Sequence, residues 1–222
     1  MVTATGELLP LAVAIAISIT TIITTILMLM SPKAKGRTVG LLMGCVVGVG
    51  GAVALFALLA GLLPMQDSVG SRVRAVIKMV VGVLLVVLAL RQWRVRPARG
   101  DQAELPRWMA EVDSMTPTKA LVLGLLLSAV VPKNLLLALS AGVMVSEAGL
   151  GVGEASLVIV VFTVIATSTV AVPVVAHLVA PARMHGPFQR LREWLVENNV
   201  TIMGLLLLVI GVVMIGNGIA SL

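Results

Sequence analysis

The chain has 222 residues, 59% of them apolar and 12% charged, with a net charge of +6. A soluble domain is about half apolar and about a quarter charged, so a water-soluble globule is excluded and lipid is the solvent this composition calls for. The basic residues gather in three loops between apolar runs, which fits the charge asymmetry of membrane proteins better than a nucleic-acid partner, and the single cysteine, Cys45, excludes a disulfide framework within the chain.

Backbone inside a bilayer must satisfy its own hydrogen bonds, so spans are helices or a closed barrel. Long unbroken apolar runs select helices. Six such runs, at 8–30, 39–65, 72–91, 120–145, 155–180 and 200–222, reach the roughly 20 residues a span requires. The fold class expected is an all-α polytopic membrane protein.

The first run has no basic lead and is too long for the core of a secretory signal, so it reads as a retained helix. It carries Ser18, Thr20, Thr21, Thr24 and Thr25. These hydroxyls either line a polar path or bond back to their own helix carbonyls. In the second run, Gly40, Gly44 and Gly48 form a stripe that lets two helix backbones approach closely. The partner is either another helix of the chain or a second copy, which would make a homo-oligomer. The third run begins with Arg72, Arg74 and Lys78, expected to snorkel to the interface.

A basic segment, 92–119, follows. Pro106 there is placed to open a short interfacial helix with Trp108, Met109, Val112 and Met115 on one face. The fourth run holds the most informative residue, Lys133, near its middle. A lysine at the bilayer centre costs about 2.5–3.5 kcal/mol on insertion scales, so it must face a cavity or a partner. Pro132 frees the carbonyl of Ser128, and Asn134 adds an amide. The helix is expected to kink at 132–134 and to present Pro132, Lys133, Asn134 and Ser128 to an anionic or polyhydroxyl group. The fifth run offers Thr163 and Thr167 one turn apart, then His177, which would serve as a proton relay if it meets the path. A second amphipathic helix, opened by Pro187 with Phe188, Leu191, Trp194 and Leu195 on one face, is expected before the last run.

Three basic loops on one face place that face in the cytoplasm and both termini outside it. The segment 92–119 divides the chain into halves, 1–91 and 120–222. Three spans each put the halves in opposite orientation, the inverted-repeat plan of many secondary transporters. Setting Ser18 against Ser128 brings Thr24 opposite Asn134, which favours Ser18, Thr21 and Thr24 as site residues. No carboxylate lies deep in a run, and no HExxH, GxSxG, P-loop or CxxC is present. An enzyme, a metal site and a cofactor are therefore not expected.

Several strings occur together in a distinctive order. Ile26-Leu-Met-Leu-Met-Ser-Pro-Lys-Ala-Lys35 joins the first run to the glycine-rich second. Asp113-Ser-Met-Thr-Pro117 leads to Pro132-Lys-Asn-Leu135, and Leu191-Arg-Glu-Trp-Leu195 leads to Ile210-Gly and Gly216-Asn-Gly218. Over nearly the whole chain this order resembles the GAP family, the glycolipid- or sulfolipid-addressing proteins of mycobacteria and related actinobacteria, within the LysE transporter superfamily. The resemblance implies a six-helix inverted-repeat transporter in the plasma membrane that moves a cell-envelope lipid or glycolipid outward, alone or with a larger envelope-lipid exporter. Family members often carry Ser-Pro in the first helix; Ser18-Ile19 stands here instead, so no proline-made kink is expected at that point. The alternatives are export of a small, amino-acid-like solute and a non-transporting scaffold for envelope-lipid synthesis or export. Lipid export calls for an opening beside Lys133 with apolar walls. A small solute calls for a closed polar cavity, and a scaffold for none.

Overall fold

The structure is a computed structural model that describes residues 2–30, 34–62, 68–94, 115–179 and 185–220. Regular structure among them is entirely helical, as long apolar runs require in lipid. The helices are α1 (Val2–Ala16), α2 (Ile19–Met30), α3 (Ala34–Gly61), α4 (Ser68–Arg94), α5 (Pro117–Ala129), α6 (Pro132–Glu147), α7 (Val152–Val179) and α8 (His185–Ala220). Within α3, α4, α7 and α8 lie 4 stretches long and apolar enough to cross a membrane singly, and the bent pairs α1–α2 and α5–α6 raise the count to 6. The paired pieces have 15, 12, 13 and 16 residues. At 1.5 Å per residue each reaches roughly 18–24 Å, short of the hydrocarbon core of about 30 Å. A bent pair crosses the membrane only if its two pieces act together as one span. Large apolar side chains such as Leu58, Val164 and Val172 stand exposed along the long helices, a surface that belongs against acyl chains.

Two of the runs are broken, the fourth where a kink was expected and the first where none was. The fourth bends by 67° between α5 and α6. The break falls at Val130–Val131, just ahead of the expected 132–134, because Pro132 takes the first helical position of α6 and Val131 ahead of it is extended (φ −59°, ψ 123°). A proline disfavours helical backbone in the residue before it and suits the first turn of the next helix. The first run bends by 53°, where no proline-made kink was expected. Ser18 sits just ahead of Ile19, the start of α2, in the capping position where serine is favoured. Its amide bonds to the Ile15 carbonyl at 3.1 Å, and its carbonyl accepts from Ile22 at 2.9 Å. The Ala16 carbonyl, left over at the end of α1, accepts a 2.5 Å hydrogen bond from the Thr169 hydroxyl on α7. A helix end in lipid needs such partners, and a distant threonine supplies one here.

The glycine stripe of α3 faces α5 of the same chain. A Cβ at Gly40 would overlap the Pro117 carbonyl, one at Gly44 the Leu121 carbonyl, and one at Gly48 would lie 3.0 Å from the Ser128 Cβ. From the other side, Gly124 of α5 meets the Leu41 carbonyl. The stripe offered to either a second copy or a neighbouring helix is thus occupied within the chain, and a homo-oligomer would need another surface. Gly82 and Gly211 bring α4 and α8 together in the same way, each facing the other's carbonyl. Two apolar clusters result. One gathers α1, α3, α4, α6, α7 and α8 around Leu85, Leu137 and Val53; the other joins α2, α3, α5 and α7 around Ile26, Leu41 and Val174.

Two further expectations are corrected. Arg74 and Lys78 do not snorkel: both are buried, at 5% and 8% exposure, and Lys78 forms an ion pair with Glu147 at the last residue of α6. The backbone of 187–195 is not a separate interfacial helix but the start of the continuous 36-residue α8. Pro187 fits because the first turn has no intrahelical partner for its missing N–H. The side chains of Phe188, Leu191, Trp194 and Leu195 lie outside the described residues, as does the segment holding Pro106, Trp108, Met109 and Val112.

Candidate functional site

The two helix breaks meet at a cavity of about 400 Å³, within the range of small-ligand sites. It is more open than enclosed. Its walls combine Ser18 and Thr20 from the first break, Val131, Pro132 and Lys133 from the second, Leu88, Arg91 and Gln92 from α4, and Met203 and Leu207 from α8. Thr20, Arg91 and Pro132 are solvent-exposed at this site, Lys133 is half-buried, and Leu207 closes the wall from the core.

Lys133 occupies the second position of α6, and its side chain reaches between α1 and α8. The ammonium donates to the Ala14 carbonyl at 3.3 Å and to the Met203 sulfur at 3.2 Å. The first contact is long for a charge-assisted bond, which usually lies near 2.7–2.9 Å, and a thioether is a weak acceptor. Neither partner is an anion. Arg91 is a second cation on the same cavity.

Behind this cavity a void of about 10 Å³ separates the two breaks, lined by Thr21, Ser128, Asn134, Thr167 and Thr169 among others. Asn134 is buried, and its Nδ2 donates to the Leu127 carbonyl at 2.9 Å. That bond caps a carbonyl at the end of α5 and pins the bend. Its Oδ1 is buried without a hydrogen-bond partner.

The residues singled out in the sequence thus divide into groups. Lys133, Pro132 and Ser18 line the open cavity. Asn134, Ser128, Thr21 and Thr167 stand behind it. Thr24, Thr163 and Thr167 bond back to the carbonyls of Thr20, Ile159 and Thr163, each at 2.7 Å, the helix-internal alternative weighed for Thr24 and found in α7 as well. His177 is buried on α7 and lines neither space. Thr20, one of the hydroxyls weighed for a polar path, also lines the cavity, and sequence reasoning missed Arg91, Gln92 and Met203. Arg91 looked like an ordinary loop charge, and only its position one turn beyond Leu88 on α4 hinted otherwise. Among the described residues, no group of three or more histidine, cysteine, aspartate or glutamate side chains could hold a metal ion.

A multi-pass helical membrane protein with broken helices around a cationic, half-open cavity is the class this geometry defines. Comparison with protein families matches residues 8–220 to the Sap, sulfolipid-1-addressing protein, family. The match spans nearly all of the chain, and the chain belongs to that family. No curated protein and no solved structure matched.

Proposed function

We propose that this protein moves a cell-envelope lipid with an acidic headgroup outward across the plasma membrane, with the headgroup seated at Lys133 and Arg91. The observation that carries the proposal is the Lys133 ammonium, which lines an open cavity with a second cation and whose bonds among the described residues go to a carbonyl and a sulfur. A cation in lipid without a counter-ion is costly unless a ligand supplies the charge. A sulfate or phosphate ester does so with several strong acceptors. The apolar walls formed by Leu88, Val131, Met203 and Leu207 suit a lipid rather than a small polar solute. The family's sulfolipid-addressing description agrees with such a substrate.

In this reading the chain is a three-plus-three inverted repeat of the LysE superfamily plan. Each half contains a helix broken near its middle; the broken helix of each half packs on the second helix of the other, α5–α6 on α3 and α1–α2 on α7, while α4 pairs with α8. Swapping the halves preserves that pattern. The chain acts without chemistry on the lipid and without a cofactor, alone or beside a larger envelope-lipid exporter. The scaffold reading draws on the bond from Lys133 to the Ala14 carbonyl, which satisfies part of the lysine without any ligand.

Reconstituted protein should carry a fluorescent lipid with a sulfated or phosphorylated headgroup across a liposome bilayer at least tenfold faster than its neutral counterpart. Equal rates would remove the headgroup assignment, and no transport of either lipid would favour the scaffold. With both termini outside, a cysteine introduced at Ser146 should react with an impermeant maleimide in intact cells and one at Gln102 should not. Labelling at 102 alone reverses the orientation.

A further inference from the structure

A second group of buried charges lies at the opposite end of α4. Arg74 and Lys78 are one helical turn apart and more than nine-tenths buried. Their one described carboxylate partner is Glu147, paired with Lys78. Nη1 of Arg74 is buried and has no hydrogen-bond partner. Among the described residues, two buried cations thus stand against one carboxylate, and burial of an ion without a partner is costly.

The placement of this pair is specific. Along one face of α4 run Arg74, Lys78, Val81, Leu85, Leu88 and Gln92, the last lining the Lys133 cavity with its neighbour Arg91. Arg74 and Arg91 are about 25 Å apart along the helix at 1.5 Å per residue, close to the thickness of the hydrocarbon core. The half-helix α6 connects the same two places. It carries Lys133 at its second residue and Glu147 at its last, and it bends away from α5 at Val130–Val131. The partner of Lys78 and the cation of the cavity are thus carried on one helix.

We propose that Arg74 and Lys78 form a second oxyanion site, for a sulfate- or phosphate-type headgroup, in which the oxyanion displaces Glu147 from Lys78. Side chains at this spacing lie about 5–6 Å apart at Cβ, so the guanidinium and the ammonium can close on one tetrahedral anion. The site is shut while Glu147 holds Lys78, and α6 is the element whose movement opens it. The identity of the ligand as the transported headgroup rests on the reading of the Lys133 cavity; the existence of the oxyanion site does not.

The test measures binding of fluorescent phosphatidylglycerol by the full-length protein in phosphatidylcholine nanodiscs, with inorganic sulfate as competitor. Glu147→Gln should tighten binding about tenfold, both in the wild-type background and together with Lys133→Met. Arg74→Gln added to Glu147→Gln should remove that gain. No tightening on Glu147→Gln, or a gain that survives Arg74→Gln, would overturn the second site. A Lys133→Met protein that binds the lipid as tightly as wild type would instead overturn the Lys133 assignment and leave this one standing. Competition by sulfate supports the site with a free oxyanion as sufficient ligand. Its failure, with the Glu147→Gln gain intact, supports the site with the lipid as ligand.

Discussion

Lys133→Met is expected to lower lipid transport at least tenfold while the protein stays inserted and folded. A hydrogen bond to a charged group contributes about 1.5–3 kcal/mol, and at about 1.4 kcal/mol per decade its loss from headgroup binding corresponds to about one to two orders of magnitude. Folding moves the other way. Methionine is close to lysine in length and flexibility, and it removes an ion whose insertion costs about 2.5–3.5 kcal/mol. Its neighbours, the Ala14 carbonyl and the Met203 sulfur, lose one donor between them. The thermal midpoint in detergent should therefore be unchanged or higher. Lys133→Arg keeps the charge on a longer planar group and should recover part of the rate. Transport at the wild-type rate by the methionine variant, measured in the liposome assay, would remove Lys133 from the site. A lower midpoint together with lost transport would recast it as a structural lysine.

The legibility of this site in the sequence was uneven, for physical reasons. Lys133 stood out because lipid makes a mid-span lysine expensive, so one residue carried the signal. The break beside it was readable to within about one or two residues because proline acts locally, on its own nitrogen and on the residue before it. The break at Ser18 was not readable. It depends on Thr169 reaching the Ala16 carbonyl, a contact 153 positions away along the chain, and no local pattern announces that. The threonines of α2 and α7 were equally ambiguous, since a hydroxyl that lines a path and one that bonds to the preceding turn have the same sequence spacing. Arg74 and Lys78 were read by the usual rule for basic residues near a span end, as snorkelling; their burial comes from the helices packed around α4, a tertiary fact. Arg91 was hidden for the converse reason, since a basic residue at a loop is what the charge rule leads one to expect.

The glycine stripe of α3 marks the same boundary between local and tertiary information, and it leads to the largest expected loss of stability. The spacing of Gly40, Gly44 and Gly48 established that a close helix contact exists, but α5 as the partner emerges only in three dimensions. Gly44→Leu should separate those helices. The added Cβ would overlap the Leu121 carbonyl, which belongs to backbone and cannot rotate away. The opposing Gly124 already sits against the Leu41 carbonyl, so sliding the pair along its axis only moves the collision. In water a forced separation can be offset by burying other apolar surface. In lipid, tails are as apolar as the side chains, so close packing itself supplies the association. A loss of about 3 kcal/mol or more is expected, the upper part of the range for overpacked interiors, and it should appear as aggregation on size exclusion and a lower thermal midpoint. Gly51→Leu provides the contrast. It lies on the same helix, where an added Cβ would meet nothing within 4 Å, and it should shift stability by no more than about 0.5 kcal/mol. Transport should fail in the Gly44 variant as well, because α5 ends in the Leu127 carbonyl that Asn134 caps, and moving α5 moves the bend that presents Lys133. Loss of fold and function together at Gly44, against loss of function alone at Lys133, would separate the packing that builds the cavity from the charge that uses it.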